Sequence, residues 1–372
     1  MSGRRRVVHV LEAVEGGTAR HVTDLVTHAT GVDHVVVVPA ERVGGYTDRT
    51  AVPAMRAAGA DVRIVDMRRS VTASQNVRAL AAVAGLVREL RPDVIHGHSS
   101  IGGVVARLAA RRVRGLRCVW TPNGVLESRA VVAIERGLAR LTDRIIAVSP
   151  SERDLLARLR IGRPGQVVVI PNGIELIEPS TTPDLRRLCG VPPATPLVGC
   201  VGRLAPQKGI DTFLSACRRV ADDVPDAHFL LIADGPLAPM VRERTAGWDR
   251  LTWLTGLPDA RRVLGQLDVF ALLSRYEGAP YTPVEAMWAG APVVLTDVVG
   301  NRDAVDSRSG VLVPPEDPAA AAAAITRLLR HPDAAQVAGG RRRVEEHFDI
   351  RKVAQATADL YEEVSVRPRH FA

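Results

Sequence analysis

The chain has 372 residues, 46% of them hydrophobic and 24% charged, which predicts a globular protein long enough for two domains. No apolar run approaches the roughly 18 residues that span a bilayer, and the basic opening meets Glu12 too early for a signal peptide. The four cysteines form no Cys-x-x-Cys pair and no metal-ligand spacing with histidine, which excludes a zinc or disulfide framework and favours reduced thiols in a cytoplasmic protein.

The charge is distributed unevenly along the chain. Residues 1–178 hold 26 arginines and no lysine against 17 acidic residues, a net charge of +9, whereas residues 179–372 carry −1. A basic half suits an acidic partner: an anionic membrane surface, a phosphorylated acceptor or nucleic acid. An arginine-rich coding bias explains the imbalance equally well, because the chain has only two lysines.

Short β-branched runs alternate with helical stretches through the first half, which predicts parallel α/β units. The predicted strands are residues 7–14, 33–39, 61–67, 93–99, 117–124, 144–149 and 167–173. A basic segment, residues 106–117, has helical spacing and is either a solvated helix face or a surface for anionic lipid headgroups. The Pro- and Thr-rich stretch 177–184 is typical of a linker.

The same pattern restarts in the second half. Its predicted strands are residues 197–202, 228–234, 251–256, 269–274, 292–297 and 310–314. We therefore expect an α/β protein of two doubly wound Rossmann-like domains, residues 1–178 and 179–349, with a C-terminal helix over 350–366 that can cross back to the first domain. Ligands of open α/β sheets bind beyond the carboxyl ends of the strands, so two such domains facing each other would form a cleft.

The motif VGRLAPQKGID, residues 201–211, follows the first strand of the second half. Arg203 ends the strand, and Lys208 comes just before a helix predicted to begin near Ile210. Two cations beside a helix amino terminus suit a diphosphate, although a solvated basic loop explains them as well. Neither a Walker phosphate loop nor a Gly-x-Gly-x-x-Gly fingerprint follows any predicted strand.

A second motif, EGAPYTPVEAMWAGAPVV, carries two glutamates eight positions apart. Thr282, Pro283 and Glu285 read as a helix start with a capping box, so Glu285 has a structural explanation. Glu277 has none, because it lies in the turn between a strand and this helix. A carboxylate there can accept hydrogen bonds from sugar hydroxyls, and one in the first helical turn can hold a ribose diol.

The motif HGHS, residues 96–99, raises the question of a metal. His96 and His98 point to the same side of a predicted strand. No third ligand stands at a helpful spacing in the sequence, so we expect no metal site.

Together these motifs resemble the retaining glycosyltransferases of family 4, which have the GT-B fold. Further stretches extend the resemblance in order over nearly all of residues 7 to 365: EGGTARHV, RPDVIHGHSSIGGVVARLAAR, IIAVSPSERDLL and VVVIPNGIE. The resemblance implies GT-B architecture, two doubly wound Rossmann-like domains facing across a cleft.

The resemblance also implies roles for the residues of the second half. Arg203 and Lys208 would hold the diphosphate of a nucleotide-sugar donor and offset the charge of the leaving group. Glu277 would contact hydroxyls of the donor sugar, and Glu285 would bind the nucleotide ribose. The backbone near the sugar and phosphate would come from Gly278, Ala279, Pro280 and Tyr281.

In the first half, Gly16 and Gly17 would let the loop after the first strand approach the phosphates and the acceptor. His98 would lie near the reacting sugar, contacting its hydroxyls or the acceptor, and would join Arg203, Lys208 and Glu277 as a catalytic residue. Many relatives carry histidine at the position of Asn123, on the acceptor side. Asparagine keeps the hydrogen bonding and loses any proton role.

We therefore expect a retaining transferase that moves a hexosyl group from a UDP- or GDP-linked sugar to an acceptor hydroxyl. No metal or other cofactor is expected, because fixed cations replace Mg²⁺ and the chain has no Asp-x-Asp pair. A lipid-linked saccharide of cell-envelope synthesis suits the basic half, with peripheral association at the inner face of the membrane. A small natural-product scaffold is the rival acceptor, and nucleic acid is not expected as a partner.

Three other activities compete with this interpretation. A GT-B sugar-nucleotide 2-epimerase would convert its donor without an acceptor. A phosphorylase would need a lysine for pyridoxal phosphate, and only Lys208 and Lys352 are present. A two-lobed sugar-binding protein would normally be exported, and we see no signal peptide.

Overall fold

The protein is described by a computed structural model that covers residues 4–12, 14, 16–40, 50–68, 74–125 and 127–366. The chain forms two compact units, Met1–Gly173 with Ile350–Ala372, and Ile174–Asp349. The stretch 177–184, which the sequence indicates as a linker, lies within the second unit. There Trp288 Nε1 donates to the Ile177 carbonyl at 2.7 Å, because the stretch runs along the surface of that unit.

The first unit contains a parallel sheet in the order β3-β2-β1-β4-β5-β6-β7. Its strands are β1 (Arg5–Val10), β2 (Val32–Val38), β3 (Asp61–Ile64), β4 (Val94–His98), β5 (Arg117–Thr121), β6 (Arg144–Ala147) and β7 (Val167–Val169). Its helices are α1 (Gly16–His28), α2 (Ala51–Ala57), α3 (Ser74–Leu90), α4 (Ser99–Ala110), α5 (Arg129–Ala139) and α6 (Pro150–Arg158), and the helix Ile350–Val366, numbered α14 below, also belongs to this unit.

Helices cover both faces of this sheet because its strands are apolar on both sides. Val8, Val10 and Ile95 pack under α3 and α4. On the opposite face, Val7 and Val94 belong to a cluster that includes residues of α1 and α14. Helix α14, predicted over 350–366, therefore contributes to the core of the first unit.

The second unit contains a parallel sheet in the order β10-β9-β8-β11-β12-β13. Its strands are β8 (Leu197–Arg203), β9 (His228–Asp234), β10 (Leu251–Leu254), β11 (Val269–Leu272), β12 (Val293–Thr296) and β13 (Val311–Val313). Its helices are α7 (Leu185–Cys189), α8 (Ile210–Asp223), α9 (Ala238–Thr245), α10 (Tyr281–Ala289), α11 (Asn301–Ala304), α12 (Pro318–Arg330) and α13 (Ala334–His347). One apolar cluster runs through the unit, and the prediction of two doubly wound α/β halves is confirmed.

Both sheets have a topological switch point, where the strand order reverses direction. It lies between β1 and β4 in the first unit and between β8 and β11 in the second. Loops that follow adjacent strands there leave in opposite directions and open a crevice in which such folds bind their ligands. His98 and Arg203 end β4 and β8, and Glu277 lies in the loop that follows β11.

Glycine allows the close packing that fixes the end of β4. A Cβ atom on Gly102, in the first turn of α4, would collide with the Val10 carbonyl oxygen of β1. Helix α4 therefore lies directly on the sheet, and its N-cap residue, His98, is held at the sheet edge.

The basic segment 106–117 is not a continuous helix with a charged face, because α4 ends at Ala110. Arg107 is fully buried, pairs with Glu135 at 2.7 Å and stacks 4.0 Å from the centre of the Trp120 ring. This arginine serves the core and belongs to neither a solvated nor a lipid-facing surface, whereas Arg111, Arg112 and Arg114 are exposed beyond the end of α4. Within the described residues, no helix combines the length and apolarity needed to cross a bilayer.

Candidate functional site

The candidate site of the second unit is built where β8 and β11 end. Arg203 is the last residue of β8 and is exposed. Lys208 ends a short 3-10 helix, Pro206–Lys208, and α8 begins at Ile210, as the sequence predicts. Both cations thus lie on the stretch of chain that leads from β8 into α8, and the amino terminus of a helix favours an anion.

Gly209 makes this arrangement possible. It adopts a left-handed conformation, with φ of 58°, and a Cβ atom there would collide with the Leu273 carbonyl oxygen. The start of α8 can therefore lie directly against the end of β11. As a result, Lys208 comes within reach of the loop that follows β11.

Glu277 is the centre of a hydrogen-bond network in that loop. Its Oε1 accepts from Lys208 Nζ at 2.6 Å and from Ser274 Oγ at 2.6 Å, and Gln207 Nε2 donates to Oε2 at 3.3 Å. The side chain of Glu277 is 6% exposed and that of Lys208 is 18% exposed. The glutamate without an evident structural explanation in the sequence is in fact the best-anchored carboxylate of the site.

Arg275 ties the same loop to the start of α8. Its guanidinium makes two bonds to the Asp211 carboxylate, at 2.8 and 3.0 Å, and a third to Glu316 at 2.9 Å. The hydrogen bonds from Arg275 lower the pKa of Asp211. The sequence analysis missed Arg275, Ser274 and Gln207, and only their closeness in the chain to Glu277 and Lys208 could have drawn attention to them.

The predicted capping box at the start of α10 is wrong. The helix begins at Tyr281 with Pro280 as N-cap, and no side chain caps it. Pro283 is tolerated because it lies in the first turn, where no backbone N–H is needed. Glu285 is therefore not the third helical residue that a capping box requires; its side chain is buried on α10, and the residue is 6% exposed.

The structure also brings the other predicted donor residues of the second unit to this edge. Gly278, Ala279 and Pro280 form the connection from β11 to α10, and Tyr281 starts the helix. Gly300, at a φ of 84°, packs so closely on the Gly278 carbonyl that a Cβ atom would collide with it. The loop between β11 and α10 thus packs against the connection between β12 and α11.

In the first unit, the predicted residues follow β1, β4 and β5. Gly16 starts α1 with a φ of 62°, and Gly17 is exposed in its first turn. His98 ends β4 and is fully buried. Asn123 follows β5 with a φ of 54°, and its buried Nδ2 has no hydrogen-bond partner within the described residues.

Contrary to the sequence analysis, a third histidine does lie beside the HGHS pair. His9 of β1, His96 and His98 are fully buried, and a ring nitrogen from each lies within 4.8 Å of the others. The sequence hid His9, because it stands 87 residues before His96 and only the pairing of β1 with β4 brings them together. In this structure both ring nitrogens of His9 and of His96 are engaged in hydrogen bonds.

The same region holds two further buried histidines, His21 of α1 and His34 of β2. Burial lowers the pKa of each to about 4. Burial, followed by the neighbouring histidines, holds the pKa values of His9, His96 and His98 well below 6.5. The imidazoles are therefore neutral at pH 7, each with one donor and one acceptor nitrogen.

Comparisons with known proteins agree with this architecture. A family model described as Glycosyltransferase Family 4 matches residues 15–178, and one described as Glycosyl transferases group 1 matches residues 195–331. The structure of HepE from Anabaena, solved with UDP and glucose, superposes with a TM-score of 0.82 at 20% identity, covering 96% of this chain and 100% of that one. The fold is thus that of the GT-B glycosyltransferases.

Two curated relatives show to which family of glycosyltransferases the chain belongs. The 2-deoxystreptamine N-acetyl-D-glucosaminyltransferase of Streptomyces fradiae is 34% identical over 282 residues, which are 68% of this chain and 67% of that protein. The alpha-maltose-1-phosphate synthase of Mycolicibacterium smegmatis is 29% identical over 387 residues, 95% and 96% of the two chains. The chain belongs to glycosyltransferase family 4, as its motifs indicate, and is a glycosyltransferase.

Proposed function

We propose that this chain transfers a hexosyl group from a UDP- or GDP-linked sugar to an acceptor hydroxyl, with retention of configuration at the anomeric carbon. The observation that carries the proposal is the pairing of Lys208 with Glu277 just before α8, with Arg203 at the end of the preceding strand, β8. These residues offer two cations beside a helix amino terminus to a diphosphate, next to a carboxylate that can accept from sugar hydroxyls.

In this mechanism the fixed charges act on the leaving group. As the bond from the sugar to the diphosphate breaks, negative charge grows on the departing phosphate. Arg203 and Lys208 stabilise that charge without a metal ion, and a preorganised donor of this kind contributes roughly 10²–10³ in rate. The departing phosphate itself assists the acceptor hydroxyl on the same face of the sugar, which gives retention.

Other residues have supporting roles in the proposal. Glu285 binds the nucleotide ribose, and the backbone of residues 278–281 contacts the sugar and phosphate. In the first unit, Gly16 and Gly17 let the chain approach the phosphates, and His98 contacts the reacting sugar. Asn123 hydrogen-bonds the acceptor and, as an amide, takes no part in proton transfer.

For the acceptor we propose a small polyhydroxylated molecule of the aminocyclitol kind. The acceptor in the name of the Streptomyces fradiae relative is 2-deoxystreptamine, an aminocyclitol. A lipid-linked saccharide, used by an enzyme at the inner face of the membrane, is the second candidate and is favoured by the charge of +9 on residues 1–178. Glu362 and Glu363 of α14, which lie outside residues 1–178, pair with Arg5 and Arg144 and offset part of that charge inside the first unit.

The test is a product analysis in the presence of EDTA. Purified protein is incubated with UDP- and GDP-hexoses, with or without 2-deoxystreptamine or an undecaprenyl-diphosphate saccharide. We expect release of nucleoside diphosphate that depends on an acceptor, and an axial or equatorial linkage that matches the donor. Conversion of the donor to its 2-epimer without an acceptor would identify the epimerase instead, and loss of turnover with EDTA would overturn the metal-free mechanism.

A further inference from the structure

A row of histidine side chains lies on one face of the seven-stranded sheet, at its switch point. The pairing of β1 with β4 places His9 opposite His96, and His98 follows two residues later on the same face. Across β1, the pairing with β2 places His34 opposite Val7, which shares the face of His9. The rest of this face is apolar core beneath α1 and α14, so the row is a polar feature inside a hydrophobic layer.

The histidines of this row are connected in a fixed order. His9 Nδ1 lies 3.1 Å from His98 Nε2, and His9 Nε2 lies 2.9 Å from His34 Nδ1. His9 is fully buried and therefore has no water to replace either bond. Its two neighbours hold the ring in place from both sides.

The two histidines of the HGHS motif differ in what their nitrogens can do. His96 Nε2 lies 2.8 Å from Thr121 Oγ1 and its Nδ1 lies 2.6 Å from the Tyr361 hydroxyl, so both nitrogens are engaged. His98 uses only Nε2, while its buried Nδ1 has no hydrogen-bond partner within the described residues. Its ring lies 4.0 Å from that of His96, centre to centre. Nδ1 of His98 is thus the nitrogen left for a ligand.

A bond between two neutral imidazoles needs a donor on one ring and an acceptor on the other. His9 also bonds His34, and its neutral ring has only one donor nitrogen. His9 therefore donates to one of its two neighbours and accepts from the other. If His98 Nε2 carries the proton, Nδ1 is an acceptor; if Nε2 accepts from His9, Nδ1 is a donor. In either case the hydrogen bond from His9 fixes which nitrogen of His98 faces away and holds its ring orientation.

We propose that His9 is a positioning residue of the transferase: by bonding Nε2 of His98, it fixes the orientation of the ring and ties the tautomer of His98 to that of His9, so that Nδ1 contacts a hydroxyl of the reacting sugar. This inference rests on the proposed function for the role of His98. His98 of the HGHS motif thus depends on a hydrogen-bond partner outside that motif, because His9 belongs to β1.

The test compares substitutions that differ in where they place a polar atom. Asparagine places its amide near the position of the imidazole Nδ1, whereas glutamine places it near that of Nε2. His9→Asn can therefore still bond His98, while His9→Gln and His9→Phe cannot. His21→Phe is the matched control, because His21 is also buried against the His98 ring, at 5.7 Å between centres, without a hydrogen bond to it.

We expect His9→Phe and His9→Gln to lower kcat at least tenfold with little change in the KM of the donor. His9→Asn should restore kcat to within about threefold of the native protein, and His21→Phe should stay within the same range. A purely structural role predicts instead that activity follows Tm through all four variants. That result, or equal activity in the asparagine and glutamine variants, would overturn the proposal.

A second readout needs no substrate and separates this inference from the proposed function. In protein labelled with ¹⁵N-histidine, the His98 signals, assigned by their loss in His98→Gln, should report a single neutral tautomer. In His9→Phe they should report a mixture, even if no sugar donor is found. An unchanged tautomer would overturn the proposal, and so would stoichiometric Zn²⁺ that shifts the signals of His9, His96 and His98 together, since the row would then be a metal site.

Discussion

Lys208 and Glu277 form a close, mostly buried ion pair, at 2.6 Å. Such a pair contributes little net stability, because desolvation offsets the attraction between the charges. The pair instead positions the lysine. Ser274 donates a hydrogen bond to the carboxylate, and Gly209 lets the chain beside Lys208 pack against Leu273. A diphosphate that approaches α8 therefore meets a lysine already in position.

The first prediction concerns this lysine. Lys208→Ala, like Arg203→Ala, should lower kcat/KM by roughly 10²–10³, because each removes a fixed cation from the leaving group. The matched control is Lys352→Ala, which removes the only other lysine from an exposed position on α14. Steady-state kinetics on the three variants decides the point, and unimpaired turnover in Lys208→Ala would contradict the diphosphate assignment.

The second prediction concerns Glu277. Glu277→Gln keeps the shape and can still accept from Ser274 and Lys208 but leaves the lysine charge uncompensated, so the free energy of unfolding should fall by about 1–3 kcal/mol. Loss of the charged acceptor should lower kcat about ten- to one-hundredfold. Urea unfolding and kinetics measure both effects. A large loss of stability together with full activity would make the carboxylate purely structural.

At the scale of elements, the strands were predictable and the contacts between distant strands were not. Each of the thirteen predicted strands overlaps an observed one, because β-branched runs and breakers are local signals. The closeness of His9 to His98 and His34 was not predicted, because these partners lie on β4 and β2. The sequence of one strand does not determine which residues of a neighbouring parallel strand it pairs with. The capping box at Thr282 failed for another reason: the first turn of a helix tolerates proline at several positions, so Pro283 did not fix the start of α10.

The third prediction concerns the turn before α8, in which Gly209 is replaced. Gly209→Ala should both destabilise the second unit and impair nucleotide binding, because the new Cβ meets the Leu273 carbonyl. Gly190→Ala is its matched control, since Gly190 has a similar φ of 70° with no atom near the new Cβ.

The control should cost about 1–2 kcal/mol, the strain of a left-handed alanine alone. Gly209→Ala should cost more than that and weaken nucleotide binding at least tenfold, because α8 and Lys208 must move away from β11. Urea unfolding and a nucleotide titration measure the two effects. If Gly209→Ala and Gly190→Ala lost the same stability and bound the nucleotide equally well, the turn at Gly209 would not position the site.

For the whole molecule, the buried histidines predict how stability depends on pH. Their pKa values in the fold lie below the value of about 6.5 in an unfolded chain. Below pH 6.5 the unfolded chain therefore binds protons that the folded chain does not. The free energy of unfolding should be highest above about pH 6.5 and fall towards pH 4, by up to about 1.4 kcal/mol per pH unit for each histidine.

This fourth prediction is tested by urea unfolding at pH 7 and pH 5. His21→Phe should lose less stability between the two pH values than the native protein, by about 1–2 kcal/mol. His331→Phe, at an exposed position of the second unit, should behave like the native protein. Burial raises the pKa of Glu152 and works in the opposite direction, so the comparison is made between variants. Parallel losses in all three proteins would contradict the prediction.

All five of these histidines belong to the first unit, whereas Arg203, Lys208 and Glu277 belong to the second. Acid should therefore loosen the first unit before the second. Burial also lowers the pKa of His228 in the second unit, so the two units differ in how many such histidines they hold among the described residues. Pulse hydrogen exchange after incubation at pH 5 should label peptides of residues 4–40 and 94–121 ahead of those from residues 197–313.

The proposed function requires the second unit to bind a nucleoside diphosphate through its cations and without a metal ion. Calorimetric titration of UDP and GDP in the presence of EDTA measures this binding. We expect one of the two nucleotides to bind the native protein and Lys352→Ala equally, and to bind Lys208→Ala at least tenfold more weakly. Binding that EDTA abolishes, or that Lys208→Ala leaves intact, would contradict it.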